Sequence, residues 1–426
     1  MPILRSSRPI AAVVISILLS TASVALPEAP ALKAAPPCEA AVAASPDVKA
    51  ASAVLMDLDT GAVLYSRNPH MRLPNASTTK IMTAILVIEH CKMTDTITAS
   101  KNASETPFTS LHLKPGETIT VKDLLTALLV RSANDAAVAA AEHIAGSTAK
   151  FADMMNRKAR RIGCTDTHFV NPNGLYDPKH YTSAHDLCLM ARYALRYPAF
   201  DEAVRTRKYF VESRSMNKKD MCVFSHSPFL RDYPGADGIK SGYTREAKRC
   251  FVGSATRSGW RLVSAVLSSP NASVDTAALM DHGFANFQPV SVIKANEKCA
   301  DAPVLGGWRA TVPALVAKDL EVPVPKSGGK ITTKAQFAQV EAPILKGAKL
   351  GKLKVLVDGK QVATVELRAA QEMGISLARR AWIVMKGCGI IVACLAGGRY
   401  GTAIAKGARR RRRRVTSSLR SYNRRG

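Results

Sequence analysis

At 426 residues and 47% apolar composition, the chain can bury a large core and has room for two domains with extra segments. Its net charge is +27, but fourteen Lys and Arg and no Asp or Glu lie in residues 375–426, so a nucleic-acid role would rest on the tail alone. The nine cysteines form no CxxC pair and no Cys/His cluster at zinc-ligand spacing, which argues against a metal-stapled scaffold.

The amino terminus, "MPILRSSRPIAAVVISILLSTASVALPEAP", places Arg5 and Arg8 before an apolar stretch, with small residues at Ser23 and Ala25. This is a secretory signal pattern over 1–25. An Ala/Pro-rich linker follows over 26–45. "ASAVLMDLDTGAVLYSRNP" holds two short apolar runs split by "DLDTG", a hairpin signal. Helical patterns dominate from Ser77 to about Tyr197, including "TSAHDLCLMARYALRY", which opens with Ser183 and Asp186 in capping-box spacing. Strand-like segments return at "CFVGSAT" and "WRLVSAVLSS", and "SVDTAALMDHGFANF" reads as a last helix. Strands at both ends of a helical middle predict an α+β domain over 46–292, its terminal segments completing one antiparallel sheet.

Over 293–370 the pattern alternates apolar and polar, with Asp358-Gly359 as a tight hairpin turn, so a small separate β domain is expected. Residues 371–400 contain "AWIVMKGCGIIVACLAGG", apolar except for Lys386, which reads as a membrane anchor. The basic tail, 401–426, carries six consecutive arginines from Arg409 to Arg414, suited to anionic headgroups or to retention in the cytoplasm. Seven cysteines precede the anchor, an odd number; Cys222 and Cys250 are the candidate pair if one disulfide forms.

Three short motifs carry chemistry. Ser77 and Lys80 in "NASTTKIMTAILVIEH" are three residues apart at the mouth of an apolar helix, where i and i+3 share a face. A cation at a helix N-terminus opposes the macrodipole, whereas an amine beside a hydroxyl is what a serine nucleophile needs. Ser-x-x-Lys recurs at Ser147, Ser215, Ser291 and Ser327, so the motif selects nothing by itself. Ser132 and Asn134 in "LLVRSANDAAV" interrupt two apolar helical stretches, and Lys240, Ser241 and Gly242 in "DGIKSGYTREAKRC" enter a strand. A second Lys-Ser-Gly, at 326–328, reads as a turn.

The ordered trio at 77–80, 132–134 and 240–242 resembles the penicilloyl-serine transferases, the group of penicillin-binding proteins and serine β-lactamases. "LLVRSANDAAVAAAEHIAGS", "MNRKARRIGCTDTHFVNPNGLYDPKHYTSAHDL" and "DGIKSGYTREAKRC" are similar to the low-molecular-mass D-alanyl-D-alanine carboxypeptidases over roughly 46–292. The resemblance implies a β-lactamase-like fold followed by an all-β domain and a membrane anchor. It also implies removal of the terminal D-alanine from peptidoglycan stem pentapeptides through an acyl-enzyme on Ser77, with β-lactams as inhibitors.

By that resemblance Lys80 would be the general base, its pKa lowered by burial or by Lys240, and Ser132 would pass a proton to the departing amine. Asn134 would bind the substrate backbone, Lys240 and Ser241 the terminal carboxylate, and the N–H groups of Ser77 and Tyr243 the oxyanion. Gly242 would let substrate lie along the strand edge. No cofactor and no metal are implied, and no nucleic-acid partner. The expected location is the outer face of the bacterial cytoplasmic membrane.

Two departures stand out. Ser241 replaces the more usual Thr while keeping the hydroxyl. No arginine occurs in "SSPNASVDTAALMDHGF", where many members carry one for the substrate carboxylate, leaving Arg245 and Arg249 as alternatives. A D,D-endopeptidase uses the same residues. A β-lactamase needs a glutamate that "CTDTHFVNPNGLYDPKHY" lacks, and a catalytically inactive wall-binding protein would not need all three motifs intact.

Overall fold

The computed structural model describes residues 45–216 and 222–386. The expected signal, the linker up to residue 44, the anchor beyond 386 and the basic tail lie outside the described residues. The chain opens with the hairpin β1 (Ser52–Asp57) and β2 (Val63–Arg67). A 3-10 turn, Ala76–Thr79, leads into α1 (Lys80–His90). There follow β3 (Thr96–Thr98), α2 (Lys101–Ser104), β4 (Thr118–Thr120), α3 (Val121–Val130), α4 (Asn134–Ala145) and α5 (Thr148–Ile162). Next come α6 (Ala184–Ala194), α7 (Pro198–Arg205), β5 (Lys208–Phe210), β6 (Cys222–Phe224) and α8 (Pro228–Asp232). Three long strands, β7 (Ala236–Thr244), β8 (Lys248–Arg257) and β9 (Trp260–Ser269), precede α9 (Ala272–Asn286).

The sheet runs β2-β1-β9-β8-β7, antiparallel throughout, so amino-terminal and late segments close one sheet around the helices. All six residues of β1 are buried because helices cover both faces. Val54 and Met56 face the core built with α1, α3, α4 and α6, whereas Ala53 and Leu55 face α9. Helix α1 has no polar stripe because eight consecutive residues, Lys80 to Val87, are buried. Ser183 caps α6 by accepting from Asp186 N–H at 3.1 Å. The Asp186 carboxylate completes no capping box; it accepts from Thr167 Oγ1 (2.7 Å) and Asp166 N–H (2.8 Å).

The β domain begins earlier than its alternation suggests. Its strands are β10 (Phe287–Ile293), β11 (Lys298–Leu305), β12 (Thr311–Val316) and β13 (Leu320–Pro325), then β14 (Ile331–Phe337), β15 (Val340–Glu341), β16 (Lys349–Val357) and β17 (Lys360–Ala369). Strand β10 leaves α9 without a break and pairs with β13, which explains why the sequence texture hides the boundary. Its core is separate, with Leu353, Val355, Val365 and Leu367 among the buried side chains. Asp358 and Gly359 both have positive φ and close the β16–β17 hairpin. Met373 and Ile375 bridge to Ile344 and Gly307, so the first residues of the expected anchor belong to this domain; residues 377–386 are helical. Among the described residues, no helix is long and apolar enough to cross a membrane.

Cys222 and Cys250 do not pair. All six described cysteines are free thiols, and Cys250 Sγ points to the carbonyls of Pro74 and Ala247.

Candidate active site

Ser77 sits in the 3-10 turn, directly after Ala76, whose φ of +48° is unusual for a residue with a side chain. Two glycines make the turn possible by letting other segments press on it. A Cβ on Gly242 of β7 would lie 2.9 Å from Ser77 N, 3.0 Å from Asn75 O and 3.1 Å from Ala76 Cβ. A Cβ on Gly174, at φ +87°, would lie 1.9 Å from Ala76 O. Gly242 therefore answers to the approach of β7 to the serine turn, a reason the sequence does not show.

Asn75 and His180 hold the turn from below. Thr78 Oγ1 donates to Asn75 O (2.7 Å), and Asn75 Nδ2 reaches Thr79 Oγ1 (2.9 Å). Val170 N–H donates to His180 Nδ1 (3.1 Å), so Nδ1 carries no proton and Nε2–H is left to donate to Thr79 Oγ1 (2.8 Å). Burial lowers the His180 pKa to about 4, which keeps that neutral tautomer at working pH.

Lys80 is fully buried beneath the serine. Its Nζ lies 2.9 Å from Ser77 Oγ, 2.6 Å from Asn134 Oδ1 and 2.8 Å from Asn173 O. Its pKa is held well below the usual lysine range, first by burial and then by the Lys240 cation, with Asp135 pulling the other way. Asp135 is itself buried and accepts the N–H groups of Leu111 and Leu113, each at 3.0 Å. Asn134 is engaged at both ends of its amide, since Nδ2 donates to Pro107 O at 2.8 Å. It thus orients the lysine, and it also lines the cleft, with the second N–H of its amide left over for a ligand.

Ser132 occupies the break between α3 and α4 with φ +69° and lines the same cleft as Ser77. Its hydroxyl has no hydrogen-bond partner among the described residues. Lys240 on β7 is buried and donates to Ser241 O (3.0 Å), with burial lowering its pKa to about 7. Ser241 and Tyr243 are exposed on the same strand. The cleft measures about 1270 Å³. Arg245 and Arg249 line it, and Arg249 stacks over the Tyr243 ring at 5.8 Å.

The structure therefore brings Ser77, Ser132, Asn134, Lys240, Ser241, Gly242 and Tyr243 to one cleft, with Lys80 below it. Motif reading misses Asn75, Asp135, Asn173, Gly174 and His180, which act through backbone or across large sequence separations. The Asn173-Gly174 turn signal was visible, but not that its carbonyl would receive the lysine.

A half-buried serine over a buried lysine, at the edge of a five-stranded antiparallel sheet packed with helices, defines the serine acyl-transfer class of penicillin-binding proteins. The chain belongs to the D-alanyl-D-alanine carboxypeptidase family, whose model matches residues 39–271, and it is a serine-type peptidase of that family. Residues 287–374 match the C-terminal domain of penicillin-binding protein 5. D-alanyl-D-alanine carboxypeptidase DacF of Bacillus subtilis (strain 168) is 33% identical over 336 residues, covering 76% of this chain and 86% of that protein. Among solved structures, penicillin binding protein 5 from Haemophilus influenzae superposes with a TM-score of 0.67 at 28% identity, covering 78% of this chain and 99% of that one. A variant of the Streptomyces K15 DD-transpeptidase is 30% identical with a TM-score of 0.53, over 57% of this chain and 100% of its own.

Proposed function

We propose that Ser77 is the nucleophile and Lys80 its general base. Neutral Lys80 has two N–H bonds and one lone pair. Asn134 Oδ1 and Asn173 O accept the two hydrogens, which leaves the lone pair aimed at the Ser77 hydroxyl. That geometry is the observation carrying the proposal. Ser77 Oγ bonds to the penultimate D-alanine carbonyl carbon as its proton passes to Lys80. The C–N bond then breaks, the proton reaches the leaving D-alanine amine through Ser132, and water cleaves the acyl ester.

Lys240 and Ser241 bind the terminal carboxylate. A buried ammonium with one carbonyl acceptor gains most from an anionic partner. Ser77 N–H and Tyr243 N–H hold the oxyanion, a contribution of about 3–4 kcal/mol per donor. A β-lactam acylates the same serine and leaves slowly. Glu246 is the only carboxylate lining the cleft among the described residues, and it is exposed on the β7–β8 turn.

The chain acts on the outer face of the cytoplasmic membrane after export, held by its carboxy-terminal segment; the signal-like start and the apolar stretch at 381–398 support this. Incubation with a pentapeptide and with a cross-linked dimer tests the substrate. Release of D-alanine from the pentapeptide is expected, and cleavage of the dimer alone would assign an endopeptidase instead. Ser77→Ala abolishes D-alanine release, and Lys80→Ala slows acylation by labelled penicillin by roughly a thousandfold or more.

A further inference from the structure

In the β domain, three large apolar side chains are exposed: Leu305, Trp308 and Leu345. All three lie at one end. Leu305 closes β11 in an outward slot, after the inward Ala302 and Val304. Trp308 follows at once, and its backbone N–H donates to Gly374 O (3.3 Å). Leu345 follows the buried Ile344, which bridges to Met373. Ser376 N–H donates to Gly306 O (2.9 Å), and Arg379 ties Leu305 O (3.3 Å) to Glu341 (2.7 Å). Three chain segments thus meet where the chain leaves the domain.

The helix at 377–386 then adds Leu377, Trp382, Ile383, Val384 and Met385, all exposed. Leu377 is 82% exposed, Leu345 74% and Trp308 67%. Single exposed apolar residues are ordinary; a contiguous set confined to one end is an interaction surface.

We propose that this end of the β domain is itself a lipid-facing surface, seated in the interface of an anionic bilayer. The charges on the page select this occupant. Arg309, Lys346, Arg380 and Lys386 are exposed around the apolar set, Glu341 is taken by Arg379, and Glu372 is the acid there without an ion-pair partner among the described residues. A ring of cations around Trp and Leu suits headgroups above acyl chains. The chain also runs from this end directly into residues 387–398, which carry no charge. The inference rests on the carboxy-terminal segment being a membrane anchor, and adds a second, folded point of contact that fixes the β domain against the bilayer.

Full-length protein carrying Trp382→Phe retains Trp308 and the buried Trp260. It is mixed with vesicles of phosphatidylethanolamine and phosphatidylglycerol, with and without acyl chains brominated near the headgroup. The protein should sediment with the vesicles, and bromine should quench emission that disappears when Trp308→Phe is added. Sedimentation without quenching overturns the surface and leaves the anchor standing; failure to sediment overturns both. Leu345→Glu should weaken vesicle binding roughly tenfold while pentapeptide hydrolysis is unchanged, and undiminished binding counts against the proposal.

Discussion

A neutral amine has one lone pair, and the neighbours of Lys80 decide where it points. The same burial that prepares this base carries a thermodynamic cost. Lys240 has a folded pKa of about 7, so between about pH 7 and pH 10 the unfolded chain binds more protons and stability rises with pH. Lys240→Met should therefore raise the unfolding free energy at neutral pH by about 2–4 kcal/mol while abolishing carboxypeptidase activity. Calorimetry checks the gain, and a less stable variant would mean the ammonium is compensated in the fold. The proposed carboxylate contact requires that ammonium charged, so kcat/KM on a free-acid peptide should fall about tenfold per pH unit above neutrality, with no such limb for a carboxamide-ended analogue. An identical limb on both substrates would remove Lys240 from carboxylate recognition. At this scale the grouping of Ser77, Lys80 and Lys240 in one site was legible because their types and spacing are chemical. Asn173 was not, since its contribution is a carbonyl, which any residue possesses.

Short elements carry the precision of the site. The serine turn is clasped between Gly242 of β7 and Gly174 of the loop before α6, which are 68 residues apart in sequence. Gly242→Ala should push β7 from Ser77 N and lower kcat/KM roughly a hundredfold while the fold survives. Unchanged acylation would show that the strand does not need its close approach. A buried tie also fixes the segment around Leu111: Arg214 Nε donates to Glu117 at 2.7 Å, with both side chains inaccessible and Arg214 Nη1 also on Leu111 O at 3.0 Å. Glu117→Gln strands that guanidinium and should cost about 3–5 kcal/mol by denaturant titration. Periodicity revealed the long helices and the alternating β16 and β17, whereas β8 and β9, buried through six consecutive residues, showed as short apolar runs. It could not reveal the 3-10 turn or the three-residue strands β3 to β6, which are set by tertiary pairing and not by propensity. The boundary at β10 was hidden for a related reason, since one strand grows straight out of α9.

On the scale of the whole molecule, the β domain has a core separate from the two that flank the peptidase sheet, which implies two cooperative units joined at α9 and β10. Heating should give two heat-absorption peaks, and acylation by penicillin should move only the peak of the peptidase domain; one peak moving as a unit would show the cores to be coupled. Length and the change of sequence texture after α9 made the two-domain plan readable. The apolar end of the β domain became visible only when three segments were seen to meet there. The central claim nonetheless concerns one oxygen atom. Peptide mass mapping after penicillin treatment should place the adduct on the peptide containing Ser77, and Ser77→Ala should carry none. An adduct on Ser132 or any other residue, or an unmodified protein that still releases D-alanine, would contradict the account.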